Sequence, residues 1–191
     1  MGNDKIQSIE DYLSKQFPNC SLENHQDFSR GAQIFNIGTE KGILVTIFSE
    51  EFIEDNKANS IIKKIDNWNL IDQLRNNYSA IVIVTNNGIK FESRYWDIIK
   101  SSLENNRYKW RTTRGVVKET GLSFEEVEKA FRWHSDQVIK SSIPSDSGED
   151  LFTTRQHYRK FQSPFTKIIS SIFSTVSSST SGSINSSGED E

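Results

Sequence analysis

Cys20 is the only cysteine among 191 residues, so no disulfide can close within the chain and no cysteine-based zinc site can be assembled. A single unpaired thiol fits a reducing cytoplasm, which is the expected location. Long apolar runs are also missing. The longest span four or five residues, such as Ala80 to Val84, far short of the roughly 20 that cross a bilayer. The opening Met1-Gly2-Asn3-Asp4-Lys5 is not followed by the apolar stretch of a signal peptide. A phosphate loop is lacking as well, because Gly38 and Gly42 flank a hairpin signal without a Gly-Lys-Ser/Thr ending. His25, His134 and His157 stand apart with no metal-ligand spacing. Glu51, Glu54 and Asp55, with Asp66 or Asp72, are candidates for a divalent-ion cluster, but a solvated acidic helix surface is the commoner use of such a pattern. With no nucleophile–base pair either, the expectation is a non-enzyme with no catalytic residues, no metal and no cofactor.

What is present is a split in charge. Residues 1–91 carry nine Lys or Arg against twelve Asp or Glu, whereas residues 107–160 carry eleven basic against eight acidic. The second part therefore presents the more favourable field to a polyanion, although its excess of three is small and one copy should bind weakly.

Periodicity predicts an α+β protein: an N-terminal domain of antiparallel strands and helices over 1–91, a second domain over 92–160, an amphipathic helix over 161–176 and a disordered acidic, Ser-rich tail over 177–191. Ile6, Ile9, Tyr12 or Leu13, and Phe17 recur at helical spacing before Pro18. Residues 32–38 and 42–48 read as a hairpin. Residues 50–74 read as helical, with Ile61, Ile62, Ile65, Trp68, Ile71 and Leu74 as faces. Ala80 to Thr85 reads as a buried strand closed by Asn86-Asn87-Gly88, a type I′ or related turn. Phe28, Arg30 and Gly31 border either a pocket or a plain surface loop. The first domain is expected to sense a ligand, dimerise or dock.

In the second domain, Tyr95, Ile98, Ile99 and Leu103 mark one helix and residues 112–120 another. A third follows Gly121-Leu122-Ser123, where Ser123 and Glu126 make the Ser-x-x-Glu capping box and Val127 and Phe131 share a face. Val138 to Ile143 and Leu151 to Thr154 read as strands around the polar turn 144–150. Three helices, a Gly-Leu-Ser turn and a terminal hairpin resemble the winged helix-turn-helix superfamily of bacterial regulators, over roughly residues 94–160. That resemblance implies duplex DNA as partner, with the Ser123–Trp133 helix in the major groove and the 144–150 turn at the neighbouring backbone.

The charges give candidate contacts and a complication. Arg107, Lys109, Arg111, Arg114 and Lys118 fall within twelve residues without an acid, and Lys129 and Arg132 lie on the presumed recognition helix. These seven are the candidate nucleic-acid-binding residues, and Arg155, Arg159 and Lys160 form a further basic group. The plainer reading is a solvated basic face, with Arg111 or Arg114 paired to nearby acids. Against groove binding stand Glu125, Glu126 and Glu128 on the same helix and Asp146, Glu149 and Asp150 in the wing. Trp110 and Trp133 bracket the motif as core anchors or stacking platforms.

The alternative function is a protein–protein adaptor. Phe165, Ile168, Ile169, Ile172, Phe173 and Val176 form an apolar stripe, with Phe165, Ile169 and Phe173 the candidate anchors for a protein partner or a second copy of the chain. The stripe carries few basic residues, which favours protein over membrane contact.

Overall fold

A computed structural model describes residues 3–162, which hold eight helices and eight strands in two sheets. The first helix, α1 (Asn3–Gln16), buries Ile9 and Leu13 on the face set by their four-residue spacing. It stops where Asn19 turns into left-handed backbone, φ 67°, beyond Pro18. Strands β1 (Ser21–Asp27), β2 (Ala32–Thr39) and β3 (Gly42–Ser49) form an antiparallel meander. Three short helices follow: α2 (Glu50–Asp55), α3 (Ala58–Asn67) and α4 (Leu70–Asn76). Strands β4 (Ala80–Thr85) and β5 (Gly88–Ser93) complete a sheet of order β1-β2-β3-β4-β5.

Antiparallel pairing was expected throughout this region, but β3 and β4 run parallel, with Val45 opposite Ile81 and Ile47 opposite Ile83. Residues 50–79 supply the long crossover that a parallel pair requires, and they do so with α2, α3 and α4. Strand β1 lacks an apolar signal because it is a largely exposed edge strand. The Asn86-Asn87 turn closes the β4–β5 hairpin as expected, in a related form rather than type I′. Neither asparagine has positive φ, and Gly88, at φ 111°, takes the left-handed position.

One face of the sheet packs on the helices. Alternation places Phe35, Ile37, Leu44, Phe48, Val82 and Val84 in one core with Ile9, Leu13, Phe52, Ile61, Ile65, Leu70 and Leu74. Phe35 and Phe48 meet edge to face at 5.5 Å. Each fully buried side chain of this size contributes about 1.5–3 kcal/mol relative to exposure.

The second region begins with α5 (Trp96–Leu103), then β6 (Arg111–Thr112), α6 (Thr113–Thr120), α7 (Phe124–Trp133), β7 (Val138–Lys140), β8 (Leu151–Thr154) and α8 (Arg155–Phe161). Its three strands are ordered β6-β8-β7 and pair antiparallel. Strand β7 ends at Lys140, shorter than the predicted run to Ile143, and Ile143 is exposed. Helix α6 is capped by the Thr112 hydroxyl, which accepts from the Gly115 N–H, and closes at Gly121 with φ 74°. At Ser123 both bonds of the capping box form: the Ser123 hydroxyl accepts from the Glu126 N–H, and the Glu126 carboxylate accepts from the Ser123 N–H at 2.9 Å. A second core gathers Ile99, Leu103, Val116, Val127, Ala130, Phe131 and Val138.

The two regions join at β5 and the end of α7, so the division expected at residue 91 falls inside β5. The Ser93 N–H donates to His134 Nε2 at 3.2 Å, and the His134 ring stacks on Trp96 with centroids 3.9 Å apart. Phe91 stacks on Trp133 at 5.7 Å. Trp133 therefore anchors the junction. The stripe of Phe165, Ile169 and Phe173 and the Ser-rich tail lie outside the described residues. No helix among the described residues is long and apolar enough to cross a membrane.

Candidate nucleic-acid interface

Strand β6 and helix α6 set the positions of the basic run, and the fold sorts its members into different jobs. Arg111, expected to reach phosphates, is buried with only 8% of its surface exposed. Its guanidinium donates to the Gly115 carbonyl at 2.8 Å, faces the Ser102 carbonyl and pairs with Glu119 at 2.5 Å. Burial raises the Glu119 carboxyl, but hydrogen bonds from Arg111, Asn105 and Ser102 outweigh it and hold the group below its ordinary value. Arg111 thus ties α5, β6 and α6 together, the pairing left open by the plainer reading of the sequence.

Arg114 is exposed, but its Nε lies 3.2 Å from the Glu149 carboxylate in the β7–β8 connection. Lys140 meets Asp150 there at 2.6 Å. Two of the three acids there, Glu149 and Asp150, are therefore matched by bases of the same unit. Helix α7 is matched internally as well. Lys129 meets Glu125 at 2.8 Å and Arg132 meets Glu128 at 3.8 Å, both four residues apart. The Lys129 contact holds the Glu125 carboxyl below its ordinary value.

Arg107, Lys109 and Lys118 remain. All three are exposed, and none has a carboxylate within 4 Å among the described residues. Arg159 and Lys160, on α8, share that condition. Helix α8 did not appear in the sequence pattern, yet it supports the basic loop. His157 is fully buried, and its Nε2 donates to the Tyr108 carbonyl at 2.9 Å. The Trp110 and Tyr158 rings lie 5.4 Å apart, and the Lys109 ammonium stands 5.4 Å over the Tyr158 ring.

Between this loop and α6 opens a cavity of about 580 Å³. Arg107, Tyr108, Trp110, Arg111, Lys118 and Glu119 contribute to its walls. Tyr108 is half exposed and carries the Arg111 guanidinium 4.7 Å from its ring. Sequence spacing gave no hint of Tyr108 here and did not single out Glu119 among the nearby acids, because Glu119 reaches Arg111 only through the turn from β6 into α6.

Elsewhere, Asp27 accepts from Ser29 and Arg30, so Phe28 and Arg30 sit on an exposed turn. Among the acids considered for a metal, Asp55 accepts from Asn86 and Asp66 from the Tyr12 hydroxyl, whose pKa is pushed up to about 12 by burial and by Asp66. Among the described residues, no group of three or more His, Cys, Asp or Glu could hold a metal ion. Comparison with protein families, with characterised proteins and with solved structures finds no match.

Proposed function

We propose that residues 94–160 form a winged helix-turn-helix unit that binds duplex DNA, and that the chain is a non-enzymatic regulatory protein. The observation that carries this reading is the sorting of cations. Among the described residues, Arg107 and Lys109 before β6 and Lys118 on α6 stay exposed with no carboxylate within 4 Å. Lys129 and Arg132 on α7 are instead engaged with Glu125 and Glu128. Phosphate contacts position a protein without reading bases, so the expected binding is weakly selective for sequence. Fluorescence anisotropy with a labelled random-sequence duplex, at two salt concentrations, tests it. Three phosphate contacts predict a slope of log affinity against log salt near about −3.

A second reading has its own support. Both cations of α7 are held by its own acids, and Phe124 at its start is 48% exposed. That surface suits a protein-docking module better than a groove reader, because aromatic anchors carry interface affinity. Absence of duplex binding even at low salt shifts the function to an adaptor for a protein partner or a second copy.

A further inference from the structure

The cavity between the 105–110 loop and α6 has a make-up that plain phosphate contact leaves unused. Its size, about 580 Å³, falls inside the roughly 300–1,000 Å³ typical of small-ligand sites. Arg107, Arg111 and Lys118 border it against a single acid, Glu119, which is held in its charged form by Arg111 and Asn105. The excess of positive charge suits a phosphate. Two aromatic residues, Tyr108 and Trp110, border the same space. A groove that only followed a duplex backbone would need cations but no rings. A ligand that combines a phosphate with a planar ring, as a nucleotide does, suits such a wall.

We infer that this cavity receives a single unpaired nucleotide, with its base against Tyr108 and Trp110 and its phosphate on Arg107 and Lys118. Arg111 is the fixed part of the site. Its bonds to the Gly115 carbonyl and Glu119 hold it in place, and it lies against the Tyr108 ring. Tyr108 is in turn held through its backbone carbonyl by His157. The backbone at Tyr108 is therefore fixed and Arg111 already lies on its ring before a ligand arrives, which lowers the ordering cost of binding. A paired base inside a duplex is stacked on both faces and cannot enter. The nucleotide must come from a strand end, an overhang or an unpaired position, or be a free mononucleotide. The inference rests on the basic face of the proposed function but asks for a different form of its ligand.

The full chain is titrated by anisotropy into a blunt duplex and into the same duplex with a short single-stranded overhang. Adenosine monophosphate and inorganic phosphate serve as competitors. Stacking of one base predicts about tenfold tighter binding of the overhang duplex. Tyr108→Ala should erase that preference. The Ala variant keeps the carbonyl that His157 holds, and circular dichroism checks its fold. Lys118→Gln should weaken both ligands. Competition by adenosine monophosphate well beyond that by inorganic phosphate extends the site to free nucleotides, whereas loss confined to the overhang duplex assigns it to strand ends.

Equal affinity for the two duplexes, with adenosine monophosphate competing no better than inorganic phosphate, overturns the inference and leaves duplex binding intact. An overhang preference that survives Tyr108→Ala overturns it too. Failure of the blunt duplex to bind, beside Tyr108-dependent binding of adenosine monophosphate, removes the duplex reading and supports the cavity.

Discussion

The Arg114 guanidinium reaches across to the Glu149 carboxylate at 3.2 Å, so a cation of α6 is held by an acid of the connection between β7 and β8. An exposed pair of this kind adds at most about 1 kcal/mol to stability. Its larger effect is on the field seen by a polyanion. Glu149→Gln removes one negative charge and releases Arg114. The turn should keep its shape, because the Glu149 carbonyl and N–H are bonded to Ser145. Duplex affinity is expected to rise about fivefold, the effect of about 1 kcal/mol of charge–charge energy at close range in water. The salt slope should steepen by about one unit. Anisotropy titrations of variant and wild type at two salt concentrations measure both, and an unchanged or weaker affinity contradicts the phosphate-contact reading.

The basic run divides into structural and surface members, and mutation should separate them. Arg111→Met removes charged hydrogen bonds to the Gly115 carbonyl and to Glu119 from a buried site. It is expected to destabilise the protein by about 2–3 kcal/mol. Arg107→Gln, Lys109→Gln and Lys118→Gln should each leave stability within about 0.5 kcal/mol. Each should lower duplex affinity alike on all sequences and reduce the salt slope by about one unit. Urea denaturation beside anisotropy reads the two effects. Stability losses at Arg107 or Lys118 matching that at Arg111 would deny the division.

Ser123 caps α7 at both its hydroxyl and, through Glu126, its N–H. Ser123→Ala is expected to cost about 1 kcal/mol. Glu126→Ala should cost less, since it removes the reciprocal bond and leaves the hydroxyl in place. Urea midpoints for the two variants provide the check. A Ser123→Ala loss too small to measure would show that packing of Val127 and Phe131, rather than the cap, fixes where the helix begins.

That cap was legible because its chemistry is local: Ser and Glu three residues apart, just before an apolar stripe. The hairpin signal around Gly42 and the helical faces of α1 and α3 were legible for the same reason. The parallel pairing of β3 with β4 was not, because no local pattern tells a long crossover from a meander. Arg111 shows the matching limit for a site. Its neighbours in sequence make it part of a basic surface run, but the turn at Thr112 swings it under Tyr108 and onto Glu119. Helix α8 went unread because its apolar contacts are few. His157, Tyr158 and Phe161 alternate with Arg159 and Lys160, and only the Thr154 cap marks its start. The proposed nucleotide cavity depends on these long-range placements, so its members surfaced only with the fold.

His134 offers the last test, because it sits where the two regions meet. Its Nε2 accepts from the Ser93 N–H and its ring lies on Trp96, so the proton of the neutral ring resides on Nδ1. Burial pushes the His134 pKa below its ordinary value of 6.5, against smaller opposing effects of Glu92 and Asp136. Between the lowered folded value and 6.5, the unfolded chain binds more protons than the folded one. Stability therefore rises with pH across that interval. The contribution is complete above 6.5 and is lost as pH falls toward the folded value. Protonation also removes the acceptor of the Ser93 bond, so the junction should loosen in the same window. His134→Gln can still accept from Ser93 through its side-chain oxygen and cannot titrate. Urea midpoints of wild type and variant should converge as pH falls from neutral toward 5, with wild type ahead only at the upper end. Midpoints that stay a constant distance apart over that range would show that His134 does not couple the junction to pH.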